Sequence, residues 1–363
     1  MVPQVTSNDI GACVSPTQAT THLETPFPSD ATSSGENVTG GFQDLWQQMR
    51  SQGLSRDTAD IILCSWRSGT KRQYRCYITK WMSFCQQFQI DPFKPVISDM
   101  LNFLTGLHKQ GLGYSAINTA KSAISSFVFL ISNIQIGTNI LVKQFMKGIF
   151  NERPTLPRYN VTWDVSTVLH YLASLYPLNN ISLKFLGYKL LMLLALTTGQ
   201  RVQTLYLLDI RNIVYTENYI KLRIGDLLKQ SKAGKHLQEL YIEAYNDPSL
   251  CVVSTFNAYL QQTEEYRGST TQLFISFQKP FKAVTKSTLS HWIKSVLGQA
   301  GIDLNSFRPH STRSASTSAV VGRVPIDTVL RTAGWTKDCV FRKFYKRNIT
   351  NDSSFSTAVL NTL

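Results

Sequence analysis

The sequence predicts a mainly α-helical chain with a small β-sheet confined to its second half. Three observations predict it. The length, 363 residues, is enough for two domains with a core each. Apolar residues recur at steps of three and four along most of the chain, which is the period of a half-buried helix. Short β-favouring segments punctuated by turn residues run only from Asn212 to Ile242.

Taken in order, residues 1–54 are rich in Ser, Thr, Pro, Gly and Asn and read as a disordered leader, a spacer or a partner-binding segment. Residues 55–150 read as an all-helical domain. Tyr74, Tyr77, Ile78, Trp81, Cys85 and Phe88 form one apolar stripe, taken as core. A second helix spans 97–109, and Gly111-Leu112-Gly113 then breaks the chain. Ser115 is the expected cap of a third helix reaching Leu130. A fourth short helix spans 142–150. Residues 151–160 hold Pro154 and Pro157, which resist helix, and read as an extended basic linker. From residue 161 to 350 a second domain follows, with helices at 165–176 and 182–198. Strands are expected at 212–215, 219–225 and 237–242, and helices at 249–262, 286–300, 309–321, 325–333 and 338–345. Residues 351–363 form a tail, frayed or packed on a neighbouring subunit through Val359 and Leu360.

The charge is uneven. There are 37 basic and 23 acidic residues, net +14, yet residues 1–50 hold five acids against Arg50 alone. A body that basic suits nucleic acid or an anionic membrane surface, or is simply a basic surface. Membrane is the weaker partner: the most apolar stretch, Phe185 to Leu196, carries Lys189 and is shorter than the roughly 20 residues a span needs. The polar N-terminus shows no secretory signal. Six scattered cysteines (Cys13, Cys64, Cys76, Cys85, Cys251 and Cys339) form no C-x-x-C pair, so no metal site is expected and a reducing compartment suits them.

Four segments carry chemistry: Thr198-Gly199-Gln200-Arg201, closing an apolar helix; the loop from Asp226 to His236, with Lys229, Lys232 and Lys235; His310-Ser311-Thr312-Arg313; and Gly334-Trp335 followed by Phe344-Tyr345-Lys346-Arg347. His310 and Arg313 share a helix face. Pro309 marks a helix start, where free N–H groups and the positive end of the dipole favour an anion. Arginine offers permanently charged forked donors that match phosphate oxygens, and two of them with a histidine would hold charge developing in a transition state. Tyr345, flanked by Lys343, Lys346 and Arg347, is placed to act as a phenolate nucleophile. Each motif alone is commonplace; the order Arg, hairpin Lys, H-x-x-R, G-W, Tyr on a helix–sheet–helix background is not.

That order resembles the tyrosine recombinase (phage integrase) family over about residues 55–350. The segments T-G-Q-R-V-Q-T-L, L-K-Q-S-K-A-G-K-H, R-P-H-S-T-R-S-A-S-T-S and A-G-W-T before F-Y are most similar to recombinases of DIRS-type eukaryotic retrotransposons. The resemblance implies an N-terminal helical core-binding (SAM-like) domain and an α+β catalytic domain closing as a clamp on double-stranded DNA. It implies a homotetramer, a nuclear location, and cleavage and rejoining of strands without metal or other cofactor. Arg201 and Arg313 would clamp the scissile phosphate, assisted by His310. Trp335 stands where many members have His; its indole N–H can donate but cannot shuttle a proton. A hairpin lysine would protonate the leaving 5′-hydroxyl, with Lys229 preferred over Lys232 and Lys235. Tyr345 would form a 3′-phosphotyrosyl link. Lys71, Arg72, Arg75, Lys121, Lys147, Arg153, Arg158, Lys232, Lys346 and Arg347 are the expected DNA contacts.

Two departures stand out. Thr204 replaces an acid common three residues after the first arginine, so other groups must orient Arg201. The Trp335-to-Tyr345 gap is one residue longer than usual. The competing readings are a catalytically inactive DNA-binding descendant and a type IB topoisomerase-like strand cleaver.

Overall fold

The computed structural model describes residues 41–154, 161–335, 338–344 and 348–349. They divide near residue 155 into two compact units.

The first unit is all helix: α1 (Gly41–Ser51), α2 (Arg56–Cys64), α3 (Ser68–Gln87), α4 (Ile97–Lys109), α5 (Tyr114–Ser132) and α6 (Ile140–Glu152). Helix α1 corrects the leader boundary. Phe42, Leu45 and Met49 are buried in this unit's core, and Trp46 donates from its indole to Asp60 at 2.9 Å. The spacing of those four is helical, but it is diluted in a composition averaged over the polar residues before it.

Local chemistry sets most of the other ends. The Ser55 hydroxyl accepts the Thr58 N–H, and Asn139 accepts that of Leu141. The Asp99 carboxylate reaches back to the Val96 N–H at 2.9 Å. The expected Ser115 cap is wrong: the cap lies two residues earlier, at Gly113, and α5 starts at Tyr114. Tyr114, packed edge-on against Phe150 at 5.6 Å, is drawn into the first turn. In α3, Ile78, Trp81 and Cys85 are buried as the stripe requires, but Phe88 is exposed, because the helix ends at Gln87 and Phe88 turns off the stripe. Helix α6 runs to Glu152, so the linker begins at Arg153 rather than Asn151.

In the second unit β1 (Val161–Thr162) leads into α7 (Val165–Ser174), α8 (Leu183–Thr198) and the short α9 (Val202–Tyr206). Strands β2 (Ile213–Tyr215), β3 (Tyr219–Leu222) and β4 (Leu240–Glu243) form one antiparallel sheet in that order. Then come α10 (Val252–Arg267), α11 (Lys286–Gln299), α12 (Ser311–Ala319), α13 (Ile326–Ala333), α14 (Asp338–Phe344) and β5 (Asn348–Ile349), the last parallel to β1. Helix α8 is apolar on every side and packs against α10, α11 and α12, so it forms the axis of this unit. The turn at 216–218 is closed by Thr216, whose hydroxyl accepts the N–H groups of Asn218 and Tyr219. Strand β3 ends at Leu222 and β4 begins at Leu240, so the expected strands are too long on the loop side. Helix α10 starts at Val252 rather than 249, because Asp247 holds Ser249 in a turn and the Cys251 thiol caps the helix. Five described cysteines are free, no described helix is long and apolar enough to cross a membrane, and no metal-ligating cluster occurs among the described residues.

Lys189 is fully buried in α8 and donates to the Leu175 carbonyl at 2.6 Å. Burial, opposed by the Asp247 carboxylate, pushes its pKa down to about 8.

Two predictions follow from this packing. Leu45→Ala should cost about 2–5 kcal/mol in denaturant unfolding of the full chain; a loss near zero would return α1 to the leader. The unfolded chain holds the Lys189 proton up to about pH 10.4, so it binds more protons than the folded chain above about pH 8. Stability should therefore gain a rising component between those values, and Lys189→Met should remove it from a pH series of unfolding curves.

Candidate active site

Helix α8 ends where Gly199 adopts a left-handed conformation at φ +57°, and a side chain there would press to 3.1 Å from the Thr317 methyl. The glycine thus lets the α8 terminus lie directly on α12. Gln200 follows and donates to the Thr332 carbonyl. Arg201, half-buried, stands at the start of α9.

Arg313, in the first turn of α12, is almost wholly buried, with 2% of its surface exposed. Its two terminal nitrogens donate to the carbonyls of Gly199 at 2.5 Å and Ala333 at 2.7 Å. The guanidinium lies 3.9 Å from the centre of the Trp335 ring, which covers it. Trp335 follows Gly334, another left-handed glycine at φ +71°, and packs on Phe341 of α14 at 4.9 Å. One side chain therefore ties together the end of α8, the start of α12 and the end of α13.

His310 caps α12 rather than lying within it. The expected free N–H groups at this helix start are partly used: Ser311 and Thr312 donate to the carbonyls of Arg308 and Pro309. The His310 ring is open to solvent, yet the chain crowds around it. Desolvation first, then the positive charges of Arg313, Arg201 and Lys229, hold its pKa below the ordinary value. The charges of Arg313, Arg201 and Lys229 thus all bear on His310. Lys229 is exposed and is the loop lysine whose charge bears on His310. Lys232 and Lys235 close an exposed turn farther along the loop, each accepting the other's N–H.

Gln230 was not singled out by the sequence. Its side-chain carbonyl accepts a long hydrogen bond from Arg201 at 3.4 Å, and its amide lies against Gly334, where a Cβ would come within 2.9 Å. It supplies the orientation that Thr204, buried in α9, does not. Nothing in the sequence separates Gln230 from an ordinary polar loop residue.

The structure thus brings Arg201, Lys229, His310, Arg313 and Trp335 together. Lys71, Arg72, Arg75, Lys121, Lys147 and Arg153 belong to the first unit, where Arg72, Arg75, Lys147 and Arg153 are exposed and Lys71 and Lys121 half-buried. Tyr345, Lys346, Arg347 and Arg158 lie outside the described residues. Helix α14 ends at Phe344, and its Arg342 pairs with Asp338 at 2.6 Å.

Residues 173–350 match the family model described as "Phage integrase family". The matched segment holds every member of the cluster. No curated protein matches the chain. Among solved structures, the Tn1549 transposon integrase in complex with transposon right end DNA is 14% identical. It aligns over 89% of this chain and 98% of that one, with a TM-score of 0.53. The same integrase with circular intermediate DNA is 12% identical over 90% and 100% of the two chains, with a TM-score of 0.51. A lambda integrase dimer bound to a COC' core site is 17% identical over 86% and 78%, with a TM-score of 0.48. The mainly helical architecture with its three-stranded sheet is the fold of the integrases.

If Lys229 stands beside His310, Lys229→Met should raise the His310 midpoint toward its ordinary value in an NMR titration, while Lys232→Met leaves it in place. Equal shifts from both, or none from either, would count against this grouping.

Proposed function

We propose that the chain is a site-specific DNA recombinase that cuts and rejoins strands through a phosphotyrosyl intermediate for a mobile element. The observation that carries this is the buried Arg313 guanidinium, held at the junction of the α8 end, the α12 start and Trp335, with Arg201 two residues past Gly199, whose carbonyl Arg313 binds, and His310 at the cap of the same helix as Arg313. Arg201 and Arg313, with a lysine on the neighbouring loop, make a site for an anion, and a backbone phosphate is the anion whose cleavage this arrangement serves.

In the proposed step the Tyr345 oxygen attacks phosphorus as the bond to the 5′-oxygen breaks. His310, its pKa held below the ordinary value by desolvation and the neighbouring cations, takes the phenolic proton. A lysine of the 226–236 loop gives a proton to the leaving 5′-oxygen, and Arg201 and Arg313 hold the charge on the non-bridging oxygens. The covalent link conserves the bond energy, so the reverse attack by a 5′-hydroxyl rejoins the strand. The Tn1549 integrase carries DNA in its solved complexes and lambda integrase was solved as a dimer on DNA. By analogy, we assign this chain double-stranded DNA as substrate and a homo-oligomer, a tetramer on two duplexes, as its working form. The DIRS-like motifs support a nuclear setting. The basic residues of the first unit supply sequence-independent attraction, which weakens steeply with salt.

The test is a nicked suicide substrate carrying element-end sequence, with covalent protein–DNA product read on a denaturing gel. Wild type should give a product that Tyr345→Phe abolishes while DNA binding persists. Arg201→Ala should slow its formation about 10²–10³-fold. Lys229→Met and Lys232→Met, run side by side, decide which lysine is the acid. Salt-sensitive binding with no covalent product across a randomised site library would instead identify an inactive DNA-binding descendant.

A further inference from the structure

The lysine loop is held by a closed chain of hydrogen bonds that the chemistry above does not use. Leu228 is buried in the core, and the Ser231 N–H donates to its carbonyl at 2.9 Å, closing a four-residue turn with Lys229 and Gln230 at its tip. The Ser231 hydroxyl oxygen accepts the Leu228 N–H at 3.0 Å, so the turn is closed twice. That hydroxyl also lies 2.7 Å from His236 Nδ1, and His236 Nε2 lies 2.8 Å from the Ile224 carbonyl. A carbonyl only accepts, so Nε2 carries the hydrogen, Nδ1 accepts, and the Ser231 hydroxyl donates to it. The ring therefore cross-braces the two arms of the loop, from the end of the β3 side to the turn that bears Lys229. It also explains why β3 stops at Leu222: the Ile224 carbonyl is bound to His236.

We infer that Ser231 and His236 are positioning residues, a clip that holds the loop lysine at the scissile phosphate so that its proton reaches the leaving 5′-oxygen. The inference rests on the recombinase reading. Neither residue touches the reacting atoms. Their contribution is to restrict a solvent-exposed lysine whose stem would otherwise sample many positions, the cost that general-acid catalysis needs removed in advance. Gln230, bonded to Arg201 from the same turn, gives the clipped turn its contact with the phosphate-binding side.

The experiment compares single-turnover cleavage of two nicked substrates by the full chain, one with the natural bridging 5′-oxygen and one with sulfur in its place. A thiolate leaves without being protonated, so the sulfur substrate does not need the acid. His236→Ala and Ser231→Ala should each slow the oxygen substrate about ten- to a hundred-fold, part of the 10²–10⁴ that a positioned acid contributes. Each should cleave the sulfur substrate within about twofold of wild type. Arg201→Ala, which acts on phosphate charge, should be slow on both. Equal slowing of both substrates by the clip variants would overturn the inference, since the residues would then only support the fold. No slowing of either would overturn it as well. Failure of the wild type on both substrates would remove the recombinase reading itself, a result distinct from either.

Discussion

The arrangement of the site depends on the buried guanidinium of Arg313. Placing a cation inside a protein is costly unless its donors are met, and here two carbonyls and the face of Trp335 meet them. The carbonyls belong to Gly199 and Ala333, which are 134 positions apart in the chain. Satisfying one side chain therefore sets the relative position of the α8 terminus, the α12 start and the α13 terminus. The two left-handed glycines allow the backbone to come that close. Their role is steric: a Cβ at Gly199 would meet Thr317, and one at Gly334 would meet Gln230.

From this hub the other groups gain their places by short connections. Arg201 is two residues from Gly199 and is steadied by Gln230. His310 is three residues before Arg313, at the cap of the same helix. Trp335 both covers the guanidinium and seats Phe341, which docks α14, the helix that leads in sequence to Tyr345. Carbonyl dipoles hold Arg313 without neutralising it, and the cations around His310 lower its pKa together with desolvation. A site built this way keeps its positive field, and electrostatic interactions in a crowded setting are worth more than in water.

Helical periodicity was legible almost everywhere it was strong. The span 97–109 and the apolar helix ending at Thr198 match their expected ends, and the sheet lies where β-favouring segments meet a Thr-led turn. The failures were at edges. Helix α1 was hidden because Phe42, Leu45 and Met49 sat in a polar average, and Ser115 lost the cap to Gly113 because the half-buried Tyr114 packs on Phe150. Strand β3 ended early because the Ile224 carbonyl binds a histidine twelve residues away, a competitor that no local pattern displays.

The sequence by itself determined which residue types could handle a phosphate and in what order they come, because forked cations, a histidine and a phenol have fixed chemistry wherever they stand. It also carried the helical class of the fold, since apolar period is a property of neighbouring residues. Only the tertiary structure decided that Arg313 is a buried hub, that Lys229 is the loop lysine bearing on His310, that Gln230 takes over the orientation of Arg201, and that Ser231 and His236 brace the loop. Those roles arise from contacts between segments far apart in the chain, and burial and hydrogen-bond partners exist only once the segments have packed.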